Sequence, residues 1–327
     1  MYCIKKEMGR TGLFCVLAWL LMLNAGFVQA GAASVGEGSA AGERGPLKVV
    51  ATFSILADMV KQLGGEYVNV NTLVDWDEDA HVFQPSPDDV KQVANADLLV
   101  LNGSGFEGWL SRMLTAAEFK GLVVEAISGV ELIKQDLRGS KQGFMAYKKG
   151  QQAMVFDPHA WHSLKAARYY VNNISAALVR VDPAHEQAYQ QLKKDYLAAI
   201  ASLDQAITLS LSRIPEDNRR LVVPHNAFAY LARDYQLMIH SLQGMSTDSE
   251  ASAADMAYLV RLIKALGVKA IFTETISDQR LIKVVESETD ARIEGALISG
   301  ALSQKLAPTY LEMVQYNTDM IIRALSK

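Results

Sequence analysis

The chain has 327 residues, half of them apolar, and a formal net charge of -4. That length allows about two domains, and that apolar share is enough to build real cores. With no basic cluster and no aromatic–basic interleaving, the composition excludes a nucleic-acid binder.

The first 30 residues read as an address rather than as fold. Lys5, Lys6 and Arg10 precede an apolar run from Leu13 to Val28, and Val28-Gln29-Ala30 offers a small-residue cleavage site, the pattern of a secretory signal peptide. A membrane anchor is the competing reading, but the run is shorter than the ~20 residues a span needs. Residues 31–46 are small and polar, a flexible leader. Both cysteines, Cys3 and Cys15, fall in the segment to be removed, which excludes disulfides and thiolate metal sites from the mature chain. Cys15 lies inside the apolar run rather than after it, which argues against lipid attachment at a mature N-terminus. The expected location is the periplasm.

From Leu47 the pattern alternates. Strand signals at Lys48–Phe53, Val68–Val74, Leu98–Leu101 and Leu122–Ile127 are separated by helical patterns at Ser54–Leu63, from Pro87, and at Phe106–Phe119. Residues Ser140–Gln152 read as a loop, and Asp157-Pro158-His159 leads into a helix from Ala160 to Val181. Asp182 to Pro215 then reads as one uninterrupted helix, about 45 Å long. Asp182 stands as its cap, Pro183 at its first position, and Tyr189, Leu192, Tyr196, Ile200, Leu203, Ile207 and Leu211 form its apolar stripe. Beyond it the alternation restarts: strands at Leu221–Val223, Leu237–Leu242, Ala270–Thr273 and Arg292–Ile298, with helices at Ala227–Tyr235, Ala251–Leu266, Ser277–Glu288 and Thr309–Leu325. The expectation is α/β, with two lobes (47–182 and 214–327), each a mostly parallel sheet flanked by helices, joined by one long helix over 183–213.

Six histidines are present. His81 lies in the loop after a strand, His159 at a loop-to-helix junction, and His225 just past the strand Leu221–Val223. The carboxyl ends of strands in open α/β sheets are where ligands collect, and neutral imidazoles suit zinc and other borderline divalent metals. Each histidine alone is compatible with a structural role; the joint pattern points to a metal held across a cleft between lobes. Of the rest, His162 is a backup ligand, His185 a solvated residue in the first turn of the long helix, and His240 a core residue. Three histidines with an open position also describe a zinc hydrolase, although only Glu274 offers itself as a separate general base.

The ordered landmarks are the acidic loop carrying His81, Asn102-Gly103-Ser104-Gly105-Phe106-Glu107-Gly108-Trp109-Leu110, Asp157-Pro158-His159-Ala160-Trp161, His225-Asn226-Ala227-Phe228-Ala229-Tyr230, Gly244–Ser252, Ile271-Phe272-Thr273-Glu274 and Thr309–Met313. In this order and spacing the chain resembles the substrate-binding proteins of zinc and manganese ABC importers, over about Leu47 to Leu325. The resemblance implies two lobes on one long helix, no catalytic step, and a monomer that delivers metal to an inner-membrane ABC permease with its ATPase. It places ligands on His81, His159 and His225. The family's fourth ligand, an aspartate, aligns with Gly300. The family's usual Asp-Pro-His is absent at His81, and Asn226 replaces an aspartate. Loss of a carboxylate weakens an oxygen-preferring Mn²⁺ site most, so the expected cargo is Zn²⁺, with Mn²⁺ or iron as the alternative. Glu274 or Asp278 is the candidate for an added oxygen ligand or a partner to bound water. A binding module or adhesin that keeps the fold without metal is the remaining reading.

Overall fold

The computed structural model describes residues 45–136, 154–248, 251–276 and 278–327. The expected signal peptide, the leader as far as residue 44, the Ser140–Gln152 loop, Ser249, Glu250 and Ser277 lie outside the described residues.

Strand β1 (Leu47–Phe53) is buried at every position but Lys48. A strand buried on both faces belongs in the middle of a parallel sheet. It is flanked by β2 (Val68–Val74) on one side and β3 (Leu98–Leu101) on the other, with β4 (Leu122–Glu125) beyond, giving the order β2-β1-β3-β4. All three pairings are parallel. A two-stranded antiparallel ribbon follows, β5 (Lys134–Asp136) with β6 (Met154–Phe156), which the sequence pattern did not predict. The second sheet repeats the first, with β7 (Arg220–His225), β8 (Met238–Gln243), β9 (Ala270–Glu274) and β10 (Arg292–Leu297) in the order β8-β7-β9-β10. Its pairings are also parallel. In each sheet the chain leaves the first strand to one side and returns on the other. The carboxyl ends of β1 and β3, and of β7 and β9, therefore flank a topological switch point.

The helices are α1 (Ser54–Gly64), α2 (Pro87–Ala94), α3 (Leu110–Ala117), α4 (Leu164–Val181), α5 (Glu186–Ser212), α6 (Ala229–Tyr235), α7 (Ala253–Leu266), α8 (Arg280–Ser287) and α9 (Tyr310–Leu325). Three begin at capping boxes, Ser86 with Asp89, Ser252 with Asp255, and Thr309 with Glu312. In each, the hydroxyl and the acid satisfy one another's free backbone N–H groups. Among the described residues no helix is long and apolar enough to cross a membrane.

The long helix is shorter than the expected unbroken rod. Asp182 ends α4, its N–H donating to the Leu178 carbonyl, and a 3-10 turn at Pro183–His185 intervenes before α5. The Asp182 carboxylate accepts from the Tyr189 hydroxyl (2.7 Å) and meets the His185 ring (2.6 Å). Proline fits that turn as well as it fits a helix start, so the same signal serves both. The 27 residues of α5 span about 40 Å. Tyr189, Tyr196, Ile200, Ile207 and Leu211 are buried, with Leu192 and Leu203 half-buried, so the predicted stripe is the packed face. It packs on α1 and α4 from the first lobe and on α9.

One apolar cluster runs through both lobes, from Phe53, Leu99 and Trp161 to Phe228, Phe272 and Tyr310. A smaller one under the second sheet gathers Val222, Leu259, Ile263, Ile271 and Ile282. Hydrogen bonds tie the lobes directly: Tyr310 OH to the Trp161 carbonyl (2.7 Å), Trp161 Nε1 to the Ser299 carbonyl (2.9 Å), and Leu302 N to Ser54 Oγ (2.9 Å).

Candidate metal centre

Two loops and one strand end deliver one imidazole each. His81 follows β2, and its loop is fixed from both sides. Asp79 Oδ1 accepts the His81 backbone N–H (2.9 Å), and the Trp109 indole donates to the Ala80 carbonyl (3.2 Å). Across the cleft, Thr247 donates to Asp79 Oδ2 (2.5 Å). His159 precedes a 3-10 turn, Ala160–His162, and is wholly buried. Asp157 Oδ1 accepts its backbone N–H (2.9 Å) and lies 2.9 Å from its Nδ1. His225 is the last residue of β7 rather than just past it, because the strand continues through Pro224. Glu274, at the end of neighbouring β9, accepts the His225 backbone N–H at Oε1 (3.1 Å) and sets Oε2 2.5 Å from His225 Nδ1.

With the carboxylates behind two of the rings, the opposite nitrogens face inward. His81 Nε2 and His159 Nε2 are 3.2 Å apart. One ligand nitrogen from each of His81, His159 and His225 falls within a span of 4.8 Å. Two nitrogens bound to tetrahedral zinc at 2.0–2.1 Å would stand about 3.3 Å apart, so the observed pair already has ligand spacing. His225 Nε2 is buried with no hydrogen-bond partner among the described residues, which is unfavourable unless something binds there. The donor set therefore fits a divalent metal ion.

The electrostatics favour neutral rings at His81 and His159 and act the other way at His225. Burial, then the neighbouring His159 and His225, pulls His81 down to about 3. Burial, reinforced by His225, holds His159 well below its ordinary value. At His225 burial also pulls down, but the Glu274 carboxylate outweighs it and the value is raised. Burial raises Asp157 to about 7. The Glu274 carboxylate thus stands directly behind the His225 ring.

The other expected residues fall elsewhere. Asp278 is exposed and bonded to Arg280 (2.7 Å to Nε), outside the cluster, so it is no ligand candidate. Glu274 is wholly buried and occupied by His225 and by the Ser299 hydroxyl (2.7 Å), which makes it an orienting group rather than an added oxygen. Gly300 is buried beside Ser299, and a Cβ there would meet Ile276 Cδ1 at 3.1 Å, so a methyl group crowds the aspartate position of the resemblance. His162 is no backup ligand: its Nε2 meets the Ser299 carbonyl (3.0 Å) and its ring packs on Phe228. His185 is stacked on Tyr67, with ring centroids 4.2 Å apart, rather than simply solvated. His240 is half-buried, and its Nε2 has no hydrogen-bond partner among the described residues, so it is not a satisfied core group. Sequence reasoning missed the role of Asp157. The signal was present as an Asp-x-His step that occurs twice, at Asp79–His81 and Asp157–His159, with the same 2.9 Å bond from N–H to Oδ1.

Two parallel sheets of like order, a long connecting helix and a buried imidazole cluster between them define a two-lobed substrate-binding protein for metal ions. The chain belongs to the ZnuA family, described as zinc-uptake complex component A, periplasmic, which it matches over residues 49–324. It is similar to the metal ABC transporter substrate-binding lipoprotein FimA of Streptococcus parasanguinis, at 29% identity over 300 residues covering 89% of this chain and 93% of the relative. The manganese ABC transporter substrate-binding lipoprotein PsaA of Streptococcus anginosus is 29% identical, covering 86% and 90%. Among solved structures, the periplasmic zinc-binding protein TroA of Treponema pallidum superposes with a TM-score of 0.78 at 28% identity, covering 86% of this chain and all of that one. The chain is accordingly the metal-binding, outward-facing component of an ABC importer, working with a permease and ATPase. The family consists of transport proteins, which sets the hydrolase reading aside.

Proposed function

We propose that the chain captures Zn²⁺ on His81, His159 and His225 and delivers it, as a monomer, to an inner-membrane permease. The observation that carries this is the convergence of three imidazole nitrogens within 4.8 Å, two of them already 3.2 Å apart. An all-nitrogen set favours zinc over oxygen-preferring Mn²⁺. Manganese or iron is the second reading, supported by the manganese named for PsaA and by the carboxylate standing behind His225. Equilibrium dialysis with metal analysis, with Zn²⁺ and Mn²⁺ in competition, tests both. Zinc should bind one to one and survive an excess of manganese. Equal binding by the His81/His159/His225 triple alanine variant would sink the assignment.

The location in the proposal is the periplasm, after cleavage following Ala30. FimA and PsaA are named lipoproteins, so a lipid-anchored form is the rival. The mass of the mature N-terminus separates the two, and residue 31 without added lipid is the expected result.

A further inference from the structure

Ser299 is wholly buried and bonded to both lobes. It follows β10, and Asn317 on α9 clamps the residue before it. Asn317 Oδ1 accepts the Ile298 N–H (2.8 Å), and its Nδ2 donates to the Ile298 carbonyl (2.7 Å). The second lobe therefore presents Ser299 on a fixed stem. From the first lobe, the Trp161 indole donates to the Ser299 carbonyl (2.9 Å), and His162 Nε2 lies 3.0 Å from the same oxygen. A carbonyl only accepts, so His162 carries its proton on Nε2. Both donors belong to the Ala160–His162 turn, which directly follows the proposed ligand His159.

The hydroxyl of the same serine serves the support of another ligand. It donates to Glu274 Oε2 (2.7 Å), the oxygen that meets His225 Nδ1, while Oε1 accepts the His225 backbone N–H. Glu274 is wholly buried, and a carboxylate in that setting is costly unless its oxygens are hydrogen-bonded. An oxygen shared between a ring nitrogen and a hydroxyl has its position set by both. A continuous chain of contacts thus runs from the turn after His159, through the carbonyl and hydroxyl of one residue, to the carboxylate behind His225. It joins ligands of opposite lobes without passing through the metal.

We infer that Ser299 is a positioning residue for metal capture, one that makes the hold on His225 depend on the first lobe's contact. With Trp161 and His162 seated on its carbonyl, the hydroxyl stays on Glu274 and the ring keeps its ligand orientation. Loss of those donors lets Ser299 shift, takes a partner from the carboxylate and loosens the ring. This rests on the metal-capture reading, and the experiment separates the two.

Zinc affinity of the mature chain is measured by calorimetry for wild type, Ser299→Ala, Glu274→Gln and the double variant. Ser299→Ala should lower it about tenfold, as for other partners standing behind metal ligands. With Glu274→Gln already present the further loss should be no more than about twofold, because a residue acting through Glu274 has little left to remove. The visible spectrum of the Co²⁺-loaded Ser299→Ala chain should also shift, which general destabilisation would not produce. His162→Phe keeps a ring on Phe228 and removes one donor from the Ser299 carbonyl. Zinc release into excess chelator, followed by stopped flow, should then quicken about fivefold, and this gain should vanish when Ser299→Ala is already present. Should Ser299→Ala fail to fold, the His162→Phe rate decides alone. A Ser299→Ala affinity equal to wild type, an unshifted cobalt spectrum, losses that multiply with Glu274→Gln, or a His162→Phe release rate equal to wild type each overturn the inference and leave metal capture standing. If the wild-type chain binds no metal, both fall.

Discussion

Glu274 holds His225 at two points, accepting its backbone N–H at 3.1 Å and meeting its Nδ1 at 2.5 Å. The two residues end adjacent parallel strands, so the contact fixes ring orientation and tautomer before any metal arrives. Partners of this kind are commonly worth 10–100-fold in metal affinity. Glu274→Gln keeps an acceptor for the backbone but removes the charge behind the ring. Zinc affinity measured by calorimetry should fall 10–100-fold with little change in the circular dichroism spectrum; an unchanged affinity would leave Glu274 a structural acid only.

Asp79 spans the cleft. One oxygen holds the His81 backbone and the other receives the Thr247 hydroxyl from the second lobe. The loop that carries a proposed ligand is thereby latched to the opposite side. Thr247→Val removes the latch without touching an imidazole. A hydrogen bond of this kind is worth about 1 kcal/mol, so zinc release into excess chelator, followed by stopped flow, should accelerate roughly fivefold. A rate equal to wild type would mean that the lobes are held elsewhere.

The parallel sheets were legible because short, fully apolar stretches between helical patterns, such as Leu98–Leu101, read as strands buried on both faces, and the periodicity of the long helix named its packed face correctly. Its start was misplaced because Asp182-Pro183 suits a 3-10 turn equally well. The helix expected from Phe106 begins only at Leu110. The reason is tertiary: Glu107 turns back to accept the N–H groups of Asn102 (2.6 Å) and Gly103 (3.2 Å) and the Thr52 hydroxyl (2.7 Å). The histidines could be chosen from their places at strand and loop ends. The pairing of Glu274 with His225 bridges 49 positions and depends on strand order, which no local pattern encodes.

Asp58 makes the fold's stability depend on pH. It sits in α1, where it accepts the Tyr310 backbone N–H (2.8 Å) at the start of α9, and burial raises its carboxyl above the ordinary value. The folded state therefore holds this proton more tightly than the unfolded chain does. The group's contribution is most favourable below the ordinary carboxylate value and is lost as pH rises through the folded value. Asp58→Asn keeps an acceptor and cannot ionise. In urea melts it should be more stable than wild type at pH 8, with the gap closing toward pH 4; a gap that is constant with pH would show that ionisation at this position is not the cause.

Gly300 offers the sharpest test of metal preference, because the resemblance places a carboxylate there and the structure places the end of Ile276 against it. Gly300→Asp alone must push that methyl group aside. Such overpacking typically costs 1–3 kcal/mol, so the melting temperature should drop by about 2–8 °C. Adding Ile276→Ala gives the new side chain room and should recover part of the loss. With an oxygen donor added to three nitrogens, the site becomes better suited to Mn²⁺. In Zn²⁺/Mn²⁺ competition the double variant should shift toward manganese by about tenfold, equivalent to roughly 1.4 kcal/mol. An unchanged preference in a variant that folds normally would mean that position 300 does not face the metal, and that the three histidines alone set the selectivity.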